Sequence, residues 1–257
     1  MAAYERFAEA YRQTIAASLE VGERLTDADW AAPTECPLWS VGDVYAHLAS
    51  AERWMAGGHE NVPPPDGFQD WVDAGVLAHR GRPRAEVLAE LREVYAERLE
   101  QLAGPADPRS PATFPWGGST DLEGLLRVRV FDCWTHEQDI RRATGHPGNL
   151  GSPAAQVSAE IILGSLPRIV AKATGGTPGS TVRLVTTGDV PLDVTIRVDD
   201  TGRAAVVPPD GAPPTTELRM TWEAYARLSG GRGEHDVEVD GDHTVAEGVL
   251  ARLTVTP

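Results

Sequence analysis

The chain has 257 residues, 41% hydrophobic and 24% charged, with a formal net charge of −15 at pH 7. That length can bury a sizeable core as one large domain or two ordinary ones. The acidic balance, with no Lys/Arg stripe interleaved with aromatics, argues against nucleic acid as a partner, and no apolar run reaches the roughly 18 residues that a transmembrane helix needs. The first ten residues have neither the basic start nor the apolar centre of a secretory signal, so a cytoplasmic location is expected. Cys36 and Cys133 are the only cysteines, and under reducing conditions both are expected as free thiols.

Residues 4 to 24 space Tyr4, Phe7, Tyr11, Ile15 and Leu19 as an amphipathic helix. Pro33, Cys36 and Pro37 break the chain, and Ser40 with Asp43 then forms a capping-box start for a helix reaching about Gly57. Its inward stripe reads Val44, His47, Leu48, Ala51 and Met55. The Gly/Pro-rich stretch 58 to 82 reads as one long loop, followed by a helix from Arg84 to Leu102 that buries Val87, Leu88, Leu91, Val94, Tyr95 and Leu99. Pro105 to Gly118 reads as an irregular connection, and Leu122 to Thr144 as the fourth long helix, ended by Gly145, His146 and Pro147. Four such helices predict a bundle.

Past residue 150 the pattern changes. A helix over 153–173 leads to alternating strands at 181–187 and 192–198, with shorter strands at 204–207, 217–220 and 237–239 and helices over 222–228 and 244–253. The fold class is therefore α+β: a helix bundle over 1–150 and a smaller α+β domain over 151–257.

The segment Val130 to Gly145 carries the most chemistry. Asp132 and His136 lie four residues apart and stack on one helix face, on nearly the same stripe as Leu125, Val128, Ile140 and Ala143, so the polar pair points inward. With an inward His47, they supply two imidazoles and a carboxylate, a set that suits zinc or another borderline divalent ion with positions left open. The alternative from spacing alone is a buried Asp–His hydrogen bond. Asp139 can orient His136 or pair with Arg142, and the pairing with Arg142 is the preferred reading. His59, His79, His146, His235 and His243 fall in loops or near element ends and are read as solvated. Cys133 points about 100° away from Asp132 around the helix, so a thiolate ligand is not expected there. Cys36 reads as a buried inert thiol. No Gly-x-Ser-x-Gly elbow and no phosphate-binding glycine loop occur.

Leu38-Trp-Ser-Val-Gly-Asp-Val-Tyr-Ala-His-Leu-Ala49 and Arg129 to Gly145 resemble the mycothiol-dependent maleylpyruvate isomerase family of actinobacteria, whose N-terminal part is similar to DinB-like metal-binding four-helix bundles. Met220 to Arg232 and Val239-Asp-Gly-Asp242 resemble that family's small, sterol-carrier-like C-terminal domain. The resemblance implies that His47, Asp132 and His136 hold zinc, with Asp132 standing where the family commonly has glutamate. It implies an arginine facing the substrate from the C-terminal domain, Arg232 first and Arg227 behind it. It implies mycothiol as co-substrate and a small electrophile as partner. The chain is expected as a monomer or homodimer. The expected activity is isomerisation or thiol S-transfer. The competing expectation is a non-enzymatic lipid or small-molecule binder with a structural or vestigial metal site.

Overall fold

The stripe Phe7, Tyr11, Ile15 and Leu19 is buried along α1 (Ala3–Arg24), while Tyr4 stays partly exposed. We describe the protein from a computed structural model covering residues 3–57, 67–104, 107–233 and 235–256. The chain divides into two units, Met1–Val157 and Ser158–Pro257.

In the first unit α1 packs along α6 (Leu122–Thr144), and α3 (Val41–Ala56) packs along α5 (Arg84–Ala103). These are the four long helices that periodicity predicts. Ser40 caps α3 as expected: its hydroxyl accepts from Asp43 N, and the Asp43 carboxylate accepts from Ser40 N. Every residue of the α3 stripe, Val44, His47, Leu48, Ala51 and Met55, is buried. α6 stops at Gly145 in the left-handed conformation, φ 68°.

Four elements depart from the sequence reading. Thr26 forms a second capping box, opening the short helix α2 (Asp27–Ala31). The stretch read as one loop contains α4 (Phe68–His79), which lacks a side-chain N-cap and buries only Val72 and Val76, so its apolar stripe is thin. Gly75 lets α4 approach α3 closely, because a Cβ there would lie 2.5 Å from Ser50 Oγ. The connection before α6 holds a hairpin of β1 (Pro111–Thr113) and β2 (Ser119–Asp121), strands too short to alternate visibly in sequence.

In the second unit, β3 (Thr181–Thr187), β4 (Leu192–Val198), β5 (Ala204–Val207), β6 (Thr216–Thr221) and β7 (Glu238–Gly241) form one sheet in the order β5-β4-β3-β6-β7. The β3–β6 pair is parallel and the others antiparallel. Val182, Leu184, Ile196, Val198, Leu218 and Met220 turn inward and are buried with Trp222 and Tyr225 of α8 (Trp222–Ser229) and Ala246 and Val249 of α9 (His243–Leu250). The fold is α+β, a helix bundle followed by a C-terminal sheet domain.

The unit boundary falls within α7 (Pro153–Ala173). By length and composition α7 could cross a bilayer, a property not seen when only unbroken apolar runs are counted. Gln156, Glu160, Arg168 and Lys172 interrupt it, and Ala155, Val157, Ile162, Leu166 and Val170 are buried within the protein, as in a core helix.

The Ser40 capping box sets the start of the helix that carries His47. Ser40→Ala should lower stability by about 1 kcal/mol, read from urea unfolding, because an orphan amide at the helix start loses its acceptor.

Candidate metal centre

Two helices bring the predicted ligands together. His47, on the buried stripe of α3, faces Asp132 and His136, one turn apart on α6, and one ligand atom from each lies within 4.8 Å of the others. Among the described residues no other His, Cys, Asp or Glu joins this group. His47 Nε2 stands 3.5 Å from Asp132 Oδ2, and His136 Nε2 stands 3.6 Å from Asp132 Oδ1. The imidazole rings meet edge to face, with centroids 4.8 Å apart.

The histidines differ in what lies behind them. His136 Nδ1 sits 3.1 Å from Asp139 Oδ2; as the donor to that carboxylate, it leaves the Nε2 lone pair facing Asp132 and His47. Asp139 is fully buried and also accepts from Arg142 at 3.0 Å, while Arg142 reaches Glu35 at 2.6 Å. Asp139 thus fills both roles considered from the sequence. His47 Nε2 is buried with no hydrogen-bond partner. Burial pushes this imidazole below its ordinary pKa, against the opposing pull of Asp132, so it favours the neutral, metal-binding form.

Burial also acts on Asp132 and would raise its carboxyl pKa, but the Arg129 guanidinium and the two imidazoles outweigh it and hold the group below the usual carboxylate range. Arg129, one turn before Asp132, pairs with Asp132 Oδ2 through Nη1 and with Glu52 Oε1 through Nε at 2.6 Å. Glu52 is fully buried on α3 and takes the Tyr11 hydroxyl on its other oxygen at 2.7 Å. Trp39 covers the histidines, with its ring 5.2 Å from His47 and 5.7 Å from His136.

Sequence reasoning gave no role to Trp39, Arg129 or Glu52. Arg129 had a usable signal, its three-residue spacing from Asp132; Trp39 and Glu52 had none short of the fold.

The donor set fits a divalent ion of zinc type: two imidazoles and one ionised carboxylate converge on one point, and one of the ring nitrogens, His47 Nε2, is buried without a hydrogen-bond partner. Asp139 behind His136 is the kind of outer partner that fixes a ligating imidazole. Cys133 is excluded as a thiolate, as expected from its helical phase. It is buried beside Glu52, and burial pushes its pKa well above the usual thiol range.

The remaining candidates lie elsewhere. Arg232 belongs to the second unit, where it is buried and its guanidinium donates to the Gly230 carbonyl. Arg227 is in the last turn of α8. Among the histidines read as solvated, the His79 side chain is only 8% exposed, pinned between the Gly75 carbonyl at 2.7 Å and Glu90 at 3.2 Å, because α4 folds it back onto α5. His235 accompanies the Arg232 carbonyl at 2.7 Å, His146 contacts Thr144, and His243 begins α9. His59 lies outside the described residues.

Residues 11–141 match the model of the mycothiol maleylpyruvate isomerase N-terminal domain, and residues 156–248 match that of the corresponding C-terminal domain. The chain belongs to the mycothiol maleylpyruvate isomerase family. Among solved structures it is similar to a mycothiol-dependent maleylpyruvate isomerase, at 14% identity and a TM-score of 0.58 over 93% of each chain. A histidine-to-alanine mutant of a mycothiol-dependent maleylpyruvate isomerase matches at 13% identity, with the same TM-score and coverage. At these identities the likeness establishes the fold. No curated protein matches.

Replacing Asp139 by Asn removes the charge behind His136 while Glu35 still anchors Arg142. Zinc affinity, measured by competition with a chromophoric chelator, should fall roughly 10–100-fold with the helical circular dichroism unchanged.

Proposed function

We propose that the protein is a metal- and mycothiol-dependent enzyme, a maleylpyruvate isomerase or a mycothiol S-transferase, acting in the cytoplasm on a small electrophile. The observation that carries this reading is the three-donor cluster of His47, Asp132 and His136, because three protein ligands leave a position open to a thiol, whereas a structural site is closed by four. The same count disfavours a lipid carrier with a structural metal. Family membership supplies the thiol and the reaction class.

A divalent ion held at this centre supplies Lewis acidity that favours a thiolate near neutral pH. The chain's own residues do the rest. His47 and His136 offer ring nitrogens, Asp132 offers a charged oxygen, and Asp139 keeps the His136 ring oriented. Trp39 shields the histidine pair from water on one side. A thiolate that adds to a conjugated double bond, lets the resulting single bond rotate and then leaves achieves cis–trans isomerisation. One that stays attached or displaces a leaving group achieves S-transfer.

We assign residues 1–150 to thiol activation and residues 151–257 to holding the electrophile. Arg232 is the residue for a substrate carboxylate or enolate, with Arg227 as the second choice. The support for Arg232 is the resemblance of Met220 to Arg232 to the family's C-terminal segment, together with a guanidinium anchored on Gly230.

Purified protein should contain a divalent metal, and His47→Ala, Asp132→Ala or His136→Ala should each remove most of it, as read by elemental analysis. Stoichiometric metal in the His136→Ala protein would undo the assignment. Mycothiol should bind the metal-loaded protein more tightly than the metal-free protein and release protons on binding, visible by calorimetry in buffers of different ionisation enthalpy. Metal-independent binding without proton release would favour the carrier.

Arg232→Ala should lower turnover of maleylpyruvate or another accepted electrophile while metal content stays at the wild-type level. Unchanged kinetics would move the assignment to Arg227.

A further inference from the structure

Arg129 is held more firmly than neutralising one buried acid requires. Its Nε donates to Glu52 Oε1 at 2.6 Å, and Glu52 is itself fixed through its other oxygen by the Tyr11 hydroxyl at 2.7 Å. The Arg129 side chain is 11% exposed and that of Glu52 is 0% exposed, so the guanidinium is set in place from the α3 side. From this anchored position Nη1 reaches across to Asp132 Oδ2. Nη2 is buried without a hydrogen-bond partner.

The contact makes the two oxygens of Asp132 unlike. Oδ2 lies 3.5 Å from His47 Nε2 and also takes the Arg129 hydrogen bond, while Oδ1 lies beside His136 Nε2 at 3.6 Å with no arginine on it among the described residues. An aspartate free on both oxygens, facing two imidazoles at similar distances, can close on a cation with both and fill a coordination position that a reacting ligand needs. A charge-assisted hydrogen bond on one oxygen opposes that, because it withdraws electron density from that oxygen and holds the carboxylate against turning to present both oxygens equally.

We propose that Arg129 is a positioning residue that restricts Asp132 to a single oxygen toward the metal, and so keeps one coordination position open for the thiol. The inference rests on the metal-centre reading given above and extends it to a residue outside the ligand set. The competing role is purely structural: Arg129 would only compensate Glu52, and nothing at the metal would depend on it.

Cobalt(II) separates the two roles without any turnover measurement. Loaded into the full-length wild-type protein, it should give the intense visible bands of a low-coordinate ion, and 2-mercaptoethanol should add a sulfur-to-cobalt charge-transfer band in the near ultraviolet. In Arg129→Gln, Asp132 is free to offer both oxygens. The visible bands should weaken as the coordination number rises, and the mercaptoethanol midpoint should move up by about 10-fold or more.

If Arg129→Gln does not fold, because it leaves the Glu52 charge buried alone, the double variant Arg129→Gln/Glu52→Gln removes both charges, and the same two changes are expected of it. A folded variant with wild-type bands and a wild-type midpoint would overturn the role of Arg129 and leave the metal centre standing. A wild-type protein that takes up no cobalt would overturn the metal centre itself.

Discussion

The first unit is organised around carboxylates with little access to water. Glu52 and Asp139 are fully buried, Glu137 nearly so, and Asp132 is only partly open, all within the seam where α1, α3 and α6 meet. An uncompensated charge in such a place costs several kcal/mol, so each acid must find a cation or several donors. On α6 every one of them finds an arginine one turn away: Arg129 for Asp132, Arg141 for Glu137 and Arg142 for Asp139. The compensation is built into the helix itself at three- and four-residue spacings, so the seam carries its charge balance before the neighbouring helices dock.

The remaining lone pairs tie the helices to one another. Glu137 takes the Thr14 hydroxyl at 2.5 Å and Asn149 at 2.7 Å, and Glu52 takes Tyr11, so α1 is fastened to both α6 and α3 through buried hydrogen bonds. Burial raises the pKa of Glu137 in spite of these donors. Asp132 behaves oppositely because it has a guanidinium and two imidazoles within reach. Two acids on one helix, a turn and a half apart, therefore have different work: Glu137 is a fastening, whereas Asp132 stays ionised and retains a partly exposed side chain. Removing one partner of such a pair leaves the other charge buried, which makes both arginine and acid costly to change and favours keeping them together.

Much of this was legible in the sequence, for definable reasons. The four long helices announce themselves by regular apolar spacing, and the Ser40 box and Gly145 mark their ends with local chemistry. His47, Asp132 and His136 could be aligned because helical phase is fixed by residue number alone. The elements that escaped had too little signal: α4 buries only Val72 and Val76, and β1 and β2 are hairpin strands too short for alternation to register. Glu52 lies off the His47 stripe, and Tyr11 and Glu52 are far apart in sequence, so nothing short of tertiary packing connects them. His79 reads as solvated from sequence only because the helix that carries it, α4, has too thin an apolar stripe to show.

Asp132 is where sequence, fold and chemistry meet. An aspartate reaches one methylene less far than a glutamate would, and Asp132 lies at nearly equal distances from His47 and His136. The shorter side chain has fewer torsions with which to choose between orientations, so what touches its second oxygen matters more than it would for glutamate. Arg129 supplies that contact from the same helix, and Glu52 and Tyr11 hold Arg129 from the other two. The geometry of the cluster is thus set by His47, Asp132 and His136 together with a chain of buried charges and hydrogen bonds running across three helices, and a substitution in that chain can alter the surroundings of Asp132 without touching any of the three.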